Sequence, residues 1–315
     1  MTAYQRYSKC AGVVYRLFRA VLLFGLVFIL VFPLLYMVSM AFRPITEIYD
    51  PSVIWIPKHF TLDNFKEVFG LMKYPETLLT TLKVNIVSAL LEVAVASITG
   101  YAFARFEFRF KKVLFAIVLL TIIVPYPILL NSLYLHFKNF DLFGILSIAG
   151  VISGKNMTVN LLNSPLTFYL PAVLGVGLKA GLFVFMFRQF FKGMPKELEE
   201  AAYIDGCGFG KTFLQIMLPN AVPVFITSLV LSSVWYWNDS FIGSMLMSNH
   251  RTVMVALTNL NSQILSAEQN VSLDPFLVVT RLQAGCLLAI LPALLVYLII
   301  QRFFVQSVDR SGIVG

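Results

Sequence analysis

The sequence predicts an all-α polytopic membrane protein with six transmembrane helices and both termini on the cytoplasmic side, and three observations lead there. Of its 315 residues, 58% are apolar and only 13% charged. Soluble domains run about 45–50% apolar and about 25% charged. Such a chain cannot cover a water-facing surface, which excludes a cytosolic enzyme, a disordered tail and a disulfide-rich secreted module. Uncharged runs long enough to cross about 30 Å of hydrocarbon recur along it, without the alternation over about ten residues that marks an outer-membrane barrel. The net charge of +8 sits in the short polar gaps between these runs, which is membrane topology and not a nucleic-acid footprint.

Residues 1–19 form a basic cytoplasmic segment carrying Arg6, Lys9, Arg16 and Arg19. A membrane body at 20–304 follows, with spans at about 20–42, 77–104, 113–135, 166–188, 220–240 and 282–302. The first is too long for the core of a signal peptide and reads as a retained helix. The second carries Lys83 and Glu92, and the third is uncharged. The fourth contains Lys179, the fifth starts after Pro219, and the sixth holds Pro292. Pro33, Pro125, Pro127 and Pro292 are tolerated where neighbouring helices satisfy the freed carbonyls. A tail at 305–315 ends the chain. The segments that include both termini carry 14 Lys and Arg, and the longer segments of the other face carry 8, so the positive-inside bias places the termini in the cytoplasm. On the outer face, residues 61–69 have apolar positions at 62, 65, 68 and 69 and Thr61 as candidate N-cap, the pattern of a small amphipathic helix lying on the membrane surface. Cys10, Cys207 and Cys286 make no disulfide framework, and His59, His136 and His250 stand too far apart for a metal site.

The loop at 193–219 is the richest stretch. Pro195 fits the first turn of a helix, and Glu197, Glu199 and Glu200 complement the positive end of its dipole. Leu198, Ala201, Ala202 and Ile204 supply a mainly apolar stripe, and Gly206 allows the left-handed backbone that stops the helix. A second short helix runs from about Phe209 to Leu218, up to Pro219. Two short helices joined by a glycine turn make a knob shaped for a groove on a soluble partner, and partner motion would pass directly to the fourth and fifth spans. An amphipathic hairpin resting on lipid headgroups fits the same spacing.

The run Glu200-Ala201-Ala202, three residues, Gly206, nine residues, Ile216, one residue, Leu218-Pro219 matches the full "EAA" signature of permease subunits of ABC importers. Tyr101-Ala102-Phe103-Ala104-Arg105-Phe106, Phe187-Arg188-Gln189-Phe190-Phe191 and Trp237-Asn238-Asp239 narrow the resemblance to carbohydrate-uptake permeases, similar to the smaller six-span inner-membrane subunit of maltose-type importers. The resemblance implies a type I ABC importer permease fold in the inner membrane of a prokaryote. It implies that the chain forms half of a translocation path for a carbohydrate, an oligosaccharide in the first instance. Its partners would be a second permease in a heterodimer, two ATP-binding subunits and an extracytoplasmic solute-binding protein. By the same resemblance Glu200, Ala201, Ala202, Asp205, Gly206, Ile216, Leu218 and Pro219 couple to the ATPase. The chain itself would hold no cofactor, metal or catalytic residue, with ATP and Mg on the partner; no G-x-x-x-x-G-K-[ST] phosphate loop occurs in it. The outer segment at 141–167, with Gly154-Lys155-Asn156-Met157, is longer than is usual in that family.

Inside the spans, a lone charge costs at least about 2.5–3.5 kcal/mol, so Glu92 and Lys179 face protein or water. They stand roughly 18 and 14 Å from the cytoplasmic markers Arg105 and Arg188. A Glu92–Lys179 pair, local bonding of each, and direct contact with a polar or charged solute are the three readings. Asn85 and Asn131 line a polar path or bond across helices. Trp235, Tyr236 and Trp237 suit a sugar ring but are explained more cheaply by an interfacial belt, and Asn238 and Asp239 by helix capping. The competing classes are the same importer with an anionic or non-sugar solute, a secondary carrier, which would show inverted repeats, and a membrane enzyme, which would need clustered acids or a nucleophile.

Overall fold

The computed structural model describes residues 3–141, 144, 158–267 and 275–311. The chain divides into two compact units, Met1–Met72 with Asn259–Leu291, and Lys73–Thr258 with Pro292–Gly315. Regular structure among the described residues is helical apart from one antiparallel bridge between Phe140 and Val159.

The first unit contains α1 (Ala3–Ala41), α2 (Asp63–Leu71), α13 (Leu260–Ala267) and the first part of α14 (Pro275–Ser311). Only 6% of the apolar stretch Val14–Ala41 is buried within the chain; a helix this apolar then meets lipid or another subunit. The short helix expected at 61–69 begins at Asp63. Thr61 Oγ1 accepts the Asp63 N–H at 3.1 Å, ahead of the first helical residue rather than as its cap. Its buried face, Asn64 and Val68, is turned to protein: Asn64 Nδ2 donates to the carbonyls of Ala41 and Arg43, each at 3.0 Å, and Glu67 pairs with Arg281 at 2.6 Å.

Between α1 and α2 the loop is tied by carboxylates. Glu47 accepts the backbone N–H groups of Lys58 and His59, both at 2.9 Å, and Asp50 accepts from the Lys58 ammonium at 2.7 Å and from Ser52. Burial pushes the Glu47 carboxyl up, but the His59 ring and the two N–H donors outweigh it and leave it lowered. Lys58 and then Ser52 hold Asp50 well below the usual carboxylate range. Both groups are depressed, so their contribution is complete above their ordinary values of 4.5 and 3.8 and fades as pH falls through the lowered ones. Hydrogen exchange of residues 45–60 should therefore stay slow down to about pH 4 and accelerate below it, and Glu47→Gln should bring that acceleration to neutral pH.

The second unit is organised around α3 (Tyr74–Arg105), half of whose apolar stretch is buried. Along it pack α6 (Leu166–Val173), α7 (Ala180–Gly193) and α10 (Val222–Asn238), with α4 (Lys111–Ile123) packed on α7 and touching α3 through the Phe115 and Phe103 rings. α3 and α7 touch backbone to backbone at Gly100, where a Cβ would lie 2.5 Å from Phe187 Cβ and 2.9 Å from Arg188 N. The run expected at 77–104 lies in one continuous helix, Tyr74–Arg105, long and apolar enough to cross a membrane.

The third and fourth spans are not continuous helices. At 113–135, α4 and the segment Tyr126–Lys138, whose last part is α5 (Leu130–Lys138), meet at 98°. Val124 precedes Pro125 and takes φ −68°, ψ 121°, because the proline ring disfavours the helical conformation of the residue before it. The 13 residues of α4 rise only about 20 Å, short of about 30 Å of hydrocarbon. At 166–188, α6 is closed by Gly175 at φ +72°, whose N–H bonds Ala172 O at 3.2 Å while Val176 N–H bonds Pro171 O at 2.9 Å. This is a Schellman stop, and α7 restarts only after Lys179, itself at φ +62°.

The fifth span, α10, starts at Val222, after Pro219 as expected, and ends at Asn238. The sixth lies within the longer α14. Most of 141–167, including Gly154 to Met157, lies outside the described residues. Its described ends are pinned by Leu161 N–H to Phe137 O at 2.9 Å and Asn163 N–H to Leu246 O at 2.7 Å.

Candidate functional site

The loop between α7 and α10 folds into α8 (Glu197–Ile204) and α9 (Phe209–Asn220), the latter with a π-helical stretch at Phe213–Met217 and a 77° bend into α10. Gly206 sits at φ +79°. Its N–H bonds Tyr203 O at 3.1 Å and Cys207 N–H bonds Ala202 O at 2.9 Å, a complete Schellman motif, as its placement predicts. Pro195 lies just ahead of the helix rather than in its first turn. The apolar stripe is split: Ala202 is buried, whereas Leu198, Ala201 and Ile204 are exposed, Ile204 at 86%. Glu200, Tyr203, Asp205 and Gly206 share that exposed side, Ile216 and Leu218 are half-buried, and Pro219 is exposed.

The inner face is a residue that the helix-dipole argument does not single out. Glu199 is buried: Tyr101 Oη donates to its Oε1 at 2.5 Å, and Arg105 Nε lies 3.1 Å from its Oε2 in a charge contact rather than a directed hydrogen bond. Arg105 Nη2 also donates to Met194 O at 2.8 Å. The Tyr101 ring is seated among Phe106, Phe191, Phe209 and Phe213, at centroid distances of 5.0–5.9 Å. Two adjacent glutamates on a helix project about 100° apart, so Glu199 and Glu200 meet different surroundings; the spacing carries that much and does not say which of them turns inward.

Within the spans, Glu92 and Lys179 are not an ion pair. Glu92 is fully buried and takes a hydrogen bond from Ser232 Oγ at 2.6 Å, with Oε1 against Gly177 and the Tyr236 hydroxyl. Two helical turns away, Asn85 Nδ2 donates to Ser233 O at 2.6 Å, so both bond α3 to α10. Lys179 turns elsewhere: its Nζ lies 5.1 Å over the Trp235 ring. Both groups border a cavity of about 620 Å³, also lined by Tyr126, Asn238, Asp239 and Thr121 on a mostly apolar wall. Trp237 and Tyr236 are buried in the helix packing, and Trp235, together with Tyr126 and Phe241, presents an aromatic side chain to the space. Asp239 caps α11 (Phe241–Leu246) by accepting the N–H groups of Ile242 at 3.2 Å and Gly243 at 2.9 Å, and Asn238 bonds back to Val234 O. Of the expected intramembrane residues, then, Lys179, Asn238 and Asp239 meet at one cavity, while Glu92, Asn85 and Trp237 belong to the packing. Among the described residues no group of three or more His, Cys, Asp or Glu side chains is placed to hold a metal.

A bundle of broken apolar helices around a central α3, with a short two-helix knob ahead of the penultimate long helix, is the fold of a type I ABC importer permease. Residues 92–310 match the binding-protein-dependent transport system inner membrane components, and the chain belongs to that family. It is 29% identical to the arabinooligosaccharides transport system permease protein AraQ of Halalkalibacterium halodurans, over 91% of this chain and 92% of that one. It is 24% identical to the trehalose transport system permease protein SugB of Mycobacterium tuberculosis, over 90% and 92%. Among solved structures, a bacterial ABC transporter involved in the import of the acidic polysaccharide alginate shares the fold with a TM-score of 0.68 at 19% identity, over 96% of this chain and all of that chain.

Proposed function

We propose that this chain is a permease subunit of an ATP-driven importer, forming half of the path for a carbohydrate, an oligosaccharide in the first instance. It works in the cytoplasmic membrane with a second permease, two ATP-binding subunits and an extracytoplasmic solute-binding protein. Both termini and the 193–219 loop face the cytoplasm, where the loop docks on the ATPase. The observation that carries this reading is the two-sided knob. Glu200, Ala201, Ile204, Asp205 and Gly206 are presented outward, while Glu199 holds the opposite side to α3. A hairpin resting on headgroups needs no buried glutamate. The relatives named for arabinooligosaccharide and trehalose transport support a saccharide as cargo.

Within this reading the cavity beside Trp235 is the solute-facing surface of this half, since a flat aromatic face suits a sugar ring. Lys179 favours a second reading of the cargo, a saccharide bearing a carboxylate, because its ammonium stands in that cavity over the Trp235 ring and, among the described residues, makes no ion pair with Asp239 on the same wall. The test is ATP hydrolysis by the full reconstituted importer with its binding protein, across neutral and acidic oligosaccharides. Trp235→Ala should raise the concentration of solute-loaded binding protein needed for half-maximal stimulation by roughly two- to tenfold, matching the about 0.5–1.5 kcal/mol of an aromatic contact. Lys179→Met should have that effect with acidic solutes and not with neutral ones. Stimulation unaffected by Trp235→Ala would remove the cavity from the path.

A further inference from the structure

We infer that Glu199 is the positioning residue through which docking at the loop is delivered to α3, rather than along the chain into the fourth and fifth spans. This rests on the docking reading of the loop. The chain connections on either side of α8 are poor levers. On one side Met194 is extended, at φ −76° and ψ 145°, directly after α7. On the other, the π-helical stretch and the 77° bend separate α8 from α10. A push on α8 along the backbone meets an extended residue on one side and, on the other, a bent π-helical stretch that is itself packed through Phe213 and Met217 into the cluster around Tyr101.

The side-chain route is stiff. The Glu199 carboxylate meets α3 at two points one helical turn apart, Tyr101 at 2.5 Å and Arg105 at 3.1 Å, and Arg105 closes the ring onto Met194 O at 2.8 Å. Tyr101 is 1% exposed and the Arg105 and Glu199 side chains 7% and 10%. At such burial, parting the charges strands one in a poorly solvating interior, so the contact holds or breaks as a unit. α3 in turn lies directly against α7, their backbones touching at Gly100. Further along the same helix Glu92 is bonded to Ser232 and lies against Gly177, which is part of the cavity wall. A displacement of Glu199 therefore moves a helix whose other contacts border the cavity, and the route runs through named contacts at every step.

The experiment is the number of solute molecules imported per ATP hydrolysed, measured on the full importer in proteoliposomes for wild type, Glu199→Gln, Tyr101→Phe and the double variant. Tyr101→Phe removes one hydroxyl and keeps the ring among its four phenylalanines, so it keeps the inference testable should Glu199→Gln fail to assemble. The expected result is a fall of about tenfold in the ratio for Glu199→Gln, within the 5–150-fold range of couplings between sites. A smaller fall is expected for Tyr101→Phe, with the double variant no worse than Glu199→Gln because the two act on one contact. A purely structural role lowers the yield of assembled complex or its melting temperature and leaves the ratio at the wild-type value; that outcome overturns the inference and leaves the docking reading standing. A wild-type complex without solute-stimulated hydrolysis overturns the docking reading, and this inference with it.

Discussion

Gly206→Pro is expected to abolish solute-stimulated ATP hydrolysis in the assembled importer. The glycine holds φ +79°, and proline is locked near −65°, so the turn between α8 and α9 cannot form as it stands. Proline also removes the N–H that bonds Tyr203 O at 3.1 Å, and the reoriented chain loses the neighbouring Cys207 to Ala202 bond at 2.9 Å. The helix stop is thus lost on two counts, with a local cost of about 3 kcal/mol or more. The substitution should leave membrane insertion intact, because no span is touched. Gly206→Ala makes the graded comparison: nothing lies within 4 Å of the added Cβ, so its cost is the left-handed backbone alone, about 1–2 kcal/mol. Solute-stimulated hydrolysis should fall in the order wild type, alanine, proline. Hydrolysis in the proline variant equal to wild type would show that the knob is no docking element.

Gly100→Leu is expected to have the largest effect on stability. A Cβ at this position meets Phe187 Cβ at 2.5 Å, Arg188 N at 2.9 Å and Val184 O at 3.0 Å, so even alanine forces α3 and α7 apart. Overpacking of this kind costs about 1–3 kcal/mol and a leucine more. Two of the three atoms are backbone, so no shortening of a neighbouring side chain relieves the clash, and Phe187→Ala should fail to rescue Gly100→Leu. A thermal melt of the detergent-solubilised complex reads this directly. A melting temperature within about 2 °C of wild type for Gly100→Leu would mean that the two helices separate at little cost.

Both predictions act on glycines, but they were differently legible. Gly206 could be read as a helix stop because its reason is local: a helix ends there and only a left-handed residue closes it. Gly100 could not, since its reason lies 87 residues away on another helix. The same divide runs through the loop. The "EAA" run and its glycine were visible as a pattern, and with them the family; of the contact positions it implies, Glu200, Ala201, Asp205 and Gly206 are exposed, whereas Ala202 is buried against the protein and unable to meet a partner directly. Which neighbouring glutamate turns inward was not, because Glu199 and Glu200 are chemically alike and only the presence of Tyr101 and Arg105 at the end of α3 distinguishes them.

In the expected spans, the third uncharged run is broken at Val124 and Pro125 and the fourth between Gly175 and Lys179, and among the described residues three helices, or up to five with each bent pair taken as one, are long and apolar enough to cross a membrane. Membrane tolerance of proline argues for continuity and the conformation before proline argues against it; the balance depends on whether neighbours satisfy the freed carbonyls. Glu92 and Lys179 had to face away from lipid, which the cost of intramembrane charge establishes without coordinates. That they turn to Ser232 and Trp235 instead of each other depends on how α3, α7 and α10 pack. By itself, then, the sequence determined the membrane class, the family, the knob with its glycine stop, and which groups need polar or protein surroundings, because these follow from short-range chemistry and solvent. Only the tertiary structure decided the partner of each buried group, because partners come from distant segments brought together by packing, and composition and spacing carry no record of which face meets which.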